Sequence, residues 1–298
     1  MAQYTIKELE HLSGIKAHTI RVWEQRYNIL CPQRTDTNIR YYSDEDLKSI
    51  LNISLLNEHG YKISKIAKMA PDQILKTVQQ LCEVPSRCSH HIGALIAGMV
   101  DMDEDKFDKT IYTATLQMGF QDTMLEVIYP FLNKIGILWQ TGNISPAHEH
   151  FVSNLVRRKI IVAIDGQVVC RQQNAPSYLL YLPEGELHEL ALLFMSYIIR
   201  QYNLHVIYLG QNLPFQDLVQ TYEQCKPQYI CTVVTAVPER DQVQGYINKL
   251  SHHFPKATIL MYGLQTQYDF LVFPPNVKRL QHIQEFHNLL KQKEVLQA

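Results

Sequence analysis

The chain has no apolar run approaching the roughly 18 residues that a membrane span needs, and its N-terminus lacks the charged-then-apolar pattern of a secretion signal. A cytoplasmic protein without a membrane partner is expected. Cysteine is sparse and unpatterned: Cys31, Cys82, Cys88, Cys170, Cys225 and Cys231 include no C-x-x-C pair, which favours reduced thiols over a disulfide framework or a zinc cage. Charge of one sign is also missing. Lys and Arg number 28 against 29 Asp and Glu, so net charge by itself points to no nucleic acid. What remains is an ordinary globular composition, 46% hydrophobic and 19% charged, in 298 residues that predict two or three domains.

The most informative stretch is the first 42 residues. Thr5-Ile-Lys-Glu8 reads as a capping box, in which the Thr hydroxyl takes the amide three residues on and the Glu reaches back. Ile6, Leu9 and Leu12 then recur at helical spacing, and Gly14 after Ser13 supplies the left-handed stop. A second helix is expected over His18 to Tyr27, carrying Arg21 and Arg26, with Trp23 as a packing residue. Two helices joined through a glycine turn are a helix-turn-helix pattern. The following LCPQRTDTNIRYY has no helical period, has Pro32, Asp36 and Asn38 as turn formers, and sets Arg34 and Arg40 on either side of the turn, as in a wing. Ser43-Asp-Glu-Asp46 starts another helix, its acids where the helix dipole favours them.

TIKELEHLSGIKAHTIRVWEQRY followed by RYYSDEDL resembles the winged-helix DNA-binding domain of MerR-type transcription regulators. The resemblance implies double-stranded operator DNA as partner, with the second helix in the major groove and the wing on the backbone. Arg21, Arg40 and Tyr41 would contact DNA, with His18, Arg26 and Arg34 as further candidates. Residues 11 to 42 hold five basic side chains against two acidic ones, a local excess of three positive charges. Such a focused but modest patch binds weakly alone, which predicts a homo-oligomer, dimer or tetramer, placing several copies on one operator.

Beyond the wing the period stays helical to about residue 165, with a linker expected over Leu81 to His91. Four amphipathic segments, about 91 to 100, 103 to 118, 121 to 140 and 145 to 164, predict an up-and-down four-helix bundle. From Ser177 the pattern alternates. Strands are expected at Tyr178–Leu182, Val206–Gly210, Tyr229–Val237 and Thr258–Tyr262, with helices at His188–Tyr202, Phe215–Cys225 and 239 to 253. That alternation predicts a flavodoxin-like, Rossmann-type parallel sheet with helices on both faces, and a ligand outside the carboxyl ends of its strands. The fold class is α plus α/β, with domains at 1–80, 81–170 and 171–298.

The first strand-end loop reads PEGELHELA, putting His188 before a helix with Glu186 near enough to orient it. Alone, a histidine there is more often a polar cap. In the preceding bundle Trp139 stands nine residues before Glu149-His150, in LWQTGNISPAHEHF, and a short loop would bring these three to one end. The assembly resembles the cobalamin-binding unit of MerR-type light-responsive regulators of the CarH and LitR kind. By that resemblance His188 is the lower axial ligand of cobalt, Trp139 covers the upper face with Glu149 and His150 beside it, and Glu186, Thr235, Val237 and Gly263 line the cofactor. The family pattern implies adenosylcobalamin, or another cobalamin, assembling a repressing oligomer in the dark that light takes apart, with no enzymatic turnover.

The chain departs from the pattern at several positions: Ala191 and Leu264 replace glycines, the family's Ser-x-Leu appears as Thr235-Ala-Val237, and Gln140 stands where light-sensing members have histidine. A Gln amide is a poor metal ligand, so the photochemical end state of the family is not expected to form. Two readings therefore stay open. One is a cobalamin-responsive, light-gated repressor; the other is a MerR-type regulator whose degenerate sensory domain works through protein contacts or another ligand.

Overall fold

The computed structural model describes residues 4–35, 38, 40–82, 88–140, 145–168 and 175–297; the side chains of His11, Glu58, 79–82, 136–140 and 292–297 fall outside that description. Asp36, Pro85, Ser86, Gly142 and Cys170, which carry expectations from sequence, lie outside the described residues. The chain divides into two compact units, 1–155 and 156–298.

In the first unit α1 (Ile6–Ser13) starts at the expected capping box, both halves of which form between Thr5 and Glu8. It ends at Gly14, whose φ of 76° is the left-handed conformation that glycine adopts without a Cβ penalty. α2 (Ala17–Tyr27) buries Ile20 and turns Trp23 towards Ile53, Leu56 and Ile66, so Trp23 packs as expected. β1 (Gln33–Arg34) and β2 (Arg40–Tyr41) pair antiparallel as the wing, continued by a bridge between Tyr4 and Tyr42. α3 (Asp44–Glu58) has a second capping box, from Ser43 to Asp46. The short α4 (Ile63–Ile66) and α5 (Pro71–Cys82) close this region, with Ile74 and Val78 of α5 on the Trp23 cluster.

The expected four helices come next. They are α6 (Cys88–Val100), α7 (Glu104–Met118), a composite third helix, and α10 (Pro146–Asp165), which continues into the second unit. The third is not one regular helix: α8 (Phe120–Thr123) passes through a π-helical turn at Met124–Ile128 into α9 (Tyr129–Gln140). Pro130 explains the break, because its ring has no N–H for the carbonyl of Glu126 and crowds it, and a wider turn relieves that clash. Phe107, Phe131 and Phe151 meet edge to face at 5.7 and 6.3 Å in the bundle core.

The second unit holds a five-stranded parallel sheet in the order β4-β3-β5-β6-β7, formed by β3 (Ser177–Pro183), β4 (His205–Leu213), β5 (Tyr229–Val233), β6 (Thr258–Tyr262) and β7 (Val277–Arg279). β3 lies inside the sheet, between β4 and β5, and is covered on both faces, which is why it reads as a continuous apolar run. Its Leu179 and Tyr181 pack with α12 (Phe215–Cys225) and α13 (Val243–His253), while α11 (Leu190–Gln201) packs on β3 and on α14 (Ile283–Gln297). The order is the flavodoxin-like one, with its switch point between β3 and β5. Three expected elements are shorter than read: β5, α11 and α13, which starts at Val243 rather than 239. β5 stops at Val233; the Val234 amide still donates to Tyr262 O, and the next three amides, of Thr235, Ala236 and Val237, go to Glu186, as do those of Leu187 and His188 ahead of α11, which starts at Leu190. β7 and α14 carry no sequence expectation.

Candidate functional site

On the N-terminal head, His18 and Arg21 are exposed and, three residues apart, share one side of α2. Arg26 is exposed and lies over the Tyr27 ring at 5.9 Å. Arg34 is exposed at the turn side of the wing, its guanidinium donating to Asn38 Oδ1 at 2.5 Å. Arg40 and Tyr41 are less available. Arg40 Nε donates to Glu24 Oε1 at 3.2 Å, and that carboxylate also accepts from the Tyr42 hydroxyl at 3.2 Å, so Glu24 ties the wing to α2. The Tyr41 hydroxyl donates to Gln33 Oε1 at 2.5 Å across the hairpin. Glu24 is therefore a structural member of the head, whereas in the sequence it counts only as a negative charge. Its distance of 16 residues from Arg40 gives no local signal.

Trp139 and Gln140 form the last turn of α9, with side chains outside the described residues; Glu149 is half-buried and His150 exposed in the first turns of α10.

In the α/β unit the informative group is Glu186, which is fully buried. Its Oε1 accepts from the amides of Leu187 and His188, both at 3.0 Å, and from His188 Nδ1 at 2.5 Å. Its Oε2 accepts from the amides of Thr235, Ala236 and Val237 at 2.9, 2.7 and 3.1 Å. One carboxylate thus staples the loop after β3 to the loop after β5, across the switch point. Burial pushes the Glu186 carboxyl up, but the His188 imidazole and the amides of Ala236, His188 and Val237 outweigh it and hold the group well below the usual carboxylate range. Because a carboxylate only accepts, His188 Nδ1 carries a proton towards Glu186, and the neutral imidazole then has its lone pair on Nε2, the tautomer that binds a metal. The His188 side chain is 54% exposed. Thr235 and Val237 enter through their backbones.

Further contacts fasten this loop. Gly185 N donates to Asn212 Oδ1 at 2.8 Å, and Gln211 Nε2 donates to Leu187 O at 2.6 Å, both from the end of β4. Glu189, next to His188, pairs with Arg157 of α10 and accepts from the Tyr208 hydroxyl at 3.3 Å. None of these partners is legible in the sequence, since each joins separate elements. Gly263, φ 119°, has a reason internal to the protein: a Cβ there would stand 2.4 Å from the carbonyl oxygen of Val234. Leu264 beside it is 55% exposed, so its side chain does not fill the interior where the family pattern has glycine.

Comparison with known proteins agrees with both halves. Residues 4–73 match the MerR HTH family regulatory proteins, and residues 92–163 match the B12 binding domain. The two matches stand in that order along the chain, a helix-turn-helix region followed by a B12-binding-type region. The chain is homologous to two repressors of Myxococcus xanthus. It is 25% identical to the HTH-type transcriptional repressor CarH over 269 residues, covering 87% of this chain and 88% of that one. Against the HTH-type transcriptional repressor CarA identity is 23% over 227 residues, 76% and 74% of the two chains. The monomethylamine corrinoid protein of Methanosarcina barkeri shares the fold over 66% of this chain and 94% of its own, with a TM-score of 0.54 at 9% identity. Among the described residues no helix is long and apolar enough to cross a membrane.

Proposed function

We propose that the protein is a DNA-binding transcriptional repressor whose oligomeric state and operator affinity respond to a bound cobalamin, taken up as adenosylcobalamin or a related form. The observation that carries the reading is the Glu186–His188 pair: a buried carboxylate holds a proton on Nδ1, and the exposed imidazole, when neutral, then has its lone pair on Nε2. The donor set fits the group, since an imidazole backed by a carboxylate is a good axial ligand for a transition metal, and Leu264 stays out of the interior. His188 would hold the cobalt, and Trp139, Glu149 and His150 are proposed as further cofactor-binding residues. When bound, adenosylcobalamin supplies a cobalt–carbon bond that light can break. The chain's own part is linkage: a ligand that favours the oligomer tethers several heads on one DNA and raises affinity, and its loss reverses the gain. On DNA, Arg21 and His18 are proposed for the groove and Arg26, Arg34, Arg40 and Tyr41 for the flanks. The domain limits 1–80, 81–170 and 171–298 are kept as the proposed functional division.

The second reading, a regulator with a cobalamin-like but empty sensory region, draws on the same carboxylate. Five of the six hydrogen bonds to Glu186 come from backbone amides, which is also how a purely structural loop staple is built. One experiment separates them. The protein is purified with adenosylcobalamin in the dark and its visible spectrum recorded, alongside His188→Ala. The first reading expects a histidine-ligated spectrum that the substitution abolishes, with weaker retention. A wild-type chain that takes up no corrinoid establishes the second reading; an unchanged His188→Ala spectrum removes His188 as the ligand.

A further inference from the structure

The C-terminal end of α1 is capped partly from a distant element. Near this end Leu9 O accepts from Ser13 Oγ at 2.6 Å, Glu10 O from the Gly14 amide at 2.8 Å, and Ser13 O from Ser54 Oγ of α3 at 2.7 Å. Leu12 O accepts from Lys134 Nζ at 2.9 Å, across 122 residues, from α9 of the bundle. Leu12 is 1% exposed, so water has little access to that carbonyl. An ammonium group at this position meets both an orphan carbonyl and the negative end of the helix dipole. A second link joins the head to the bundle at another point. Lys48 Nζ of α3 reaches Asp101 Oδ1 at 2.9 Å in the turn between α6 and α7, where Lys106 also approaches at 3.5 Å. These charges are partly exposed and add little energy, but with Lys134 they give two separate points of attachment.

The end of α1 bears directly on the DNA-reading helix. Across Gly14 the chain enters α2, so the direction in which α1 ends sets where His18 and Arg21 stand. α9 runs on to Trp139, the residue proposed for the sensory side.

We propose that Lys134 is the positioning residue through which the helical bundle controls the DNA-reading head: it caps the Leu12 carbonyl of α1, and a displacement of α9 reaches α2 through that bond and the packing of α9 on α1 beside it. The attachment rests on the contacts alone; its regulation by corrinoid rests on the functional reading above.

The test uses the full-length chain as wild type, Lys134→Met, which keeps the stem and removes the donor, and Lys134→Arg, which restores a cation. In hydrogen exchange the amides of residues 12 to 16 should exchange roughly tenfold faster in Lys134→Met, the effect of losing one charge-assisted bond. α6 and α7 should exchange as in wild type, and Lys134→Arg should return most of the protection. Affinity for a duplex enriched by the wild-type chain from a randomised library should fall severalfold in Lys134→Met. Unchanged exchange at 12 to 16, equal acceleration throughout 4–155, or an Arg variant as fast as the Met variant would overturn the proposal. The coupling is read as the ratio of DNA affinities with and without adenosylcobalamin in the dark. That ratio should approach one in Lys134→Met while the corrinoid spectrum persists; a ratio that stays at its wild-type value overturns the coupling. A wild-type ratio of one defeats the cobalamin reading instead, and the exchange experiment still decides the attachment.

Discussion

The head and the α/β unit use charge in opposite ways. On α2 and the wing the candidate groups His18, Arg21, Arg26 and Arg34 are exposed, available to phosphate and base edges. At the switch point the decisive group, Glu186, is wholly buried and touches no solvent; it acts by holding five amides and an imidazole in place. A surface that binds a polyanion needs accessible charge that gives up counterions, whereas a loop that presents one histidine needs a charge so well satisfied that the loop has a single conformation. The two sites should therefore fail differently.

The largest effect expected is at Glu186. Glu186→Ala leaves the amides of Leu187, His188, Thr235, Ala236 and Val237 facing an empty space and should cost about 3 to 5 kcal/mol in chemical denaturation of the α/β unit. Glu186→Gln keeps the shape but brings an NH2 group towards amide donors, so it should fall between wild type and Ala. A loss below ~1 kcal/mol for Glu186→Ala would mean that the loops hold themselves and that the contrast with the head is wrong.

The DNA side should show loss of affinity without loss of stability. Arg21→Ala, at an exposed position, should weaken duplex binding about tenfold and leave thermal stability unchanged. Arg40→Ala should do both, because its guanidinium is the partner of the half-buried Glu24 that joins the wing to α2. Fluorescence anisotropy on the enriched duplex, paired with melting curves, separates the two variants. If they behave alike in both measurements, Arg40 belongs with the exposed group and the Glu24 tie carries no weight.

Legibility in the sequence tracks the range of the interactions. Thr5 and Glu8, Ser43 and Asp46, and Gly14 act within a few residues of themselves, and both capping boxes and the left-handed stop are readable from spacing alone. The alternation from Ser177 onward reveals the parallel sheet, because a strand inside the sheet such as β3 must be apolar on both faces. The pairing of Glu186 with His188 is readable as proximity, two residues apart, but its bonds to Thr235, Ala236 and Val237 span 49 to 51 residues and leave no pattern. The same holds for Arg40 with Glu24 and for Lys134 with Leu12. The β-branched run after Tyr229 makes residues 235 to 237 look like strand, and the demand of a buried carboxylate for amide donors takes them out of the ladder.

The smallest effect sharpens the contrast through pH. His91 of α6 is 3% exposed, with Nε2 2.9 Å from Gln117 Oε1, and burial lowers its pKa from the ordinary histidine value despite that bond. A histidine kept neutral by burial must be charged or released in acid, so its folded state binds protons less readily than the unfolded chain. The stability it contributes is present above the unfolded pKa of about 6.5 and is lost as pH falls below it. Glu186 has a depressed pKa as an acid: its contribution is present above the usual carboxylate range of about 4 to 4.5 and is lost only as pH falls below that. Between pH ~7 and ~5 the first unit should therefore lose stability while the α/β unit keeps it. Hydrogen exchange resolved by peptide, followed across that interval, gives both slopes in one experiment. His91→Gln, which cannot titrate, should flatten the slope of residues 88 to 118 and leave that of 177 to 290 alone. Equal slopes in both units, or a slope in the first that survives His91→Gln, would place its acid sensitivity somewhere other than His91.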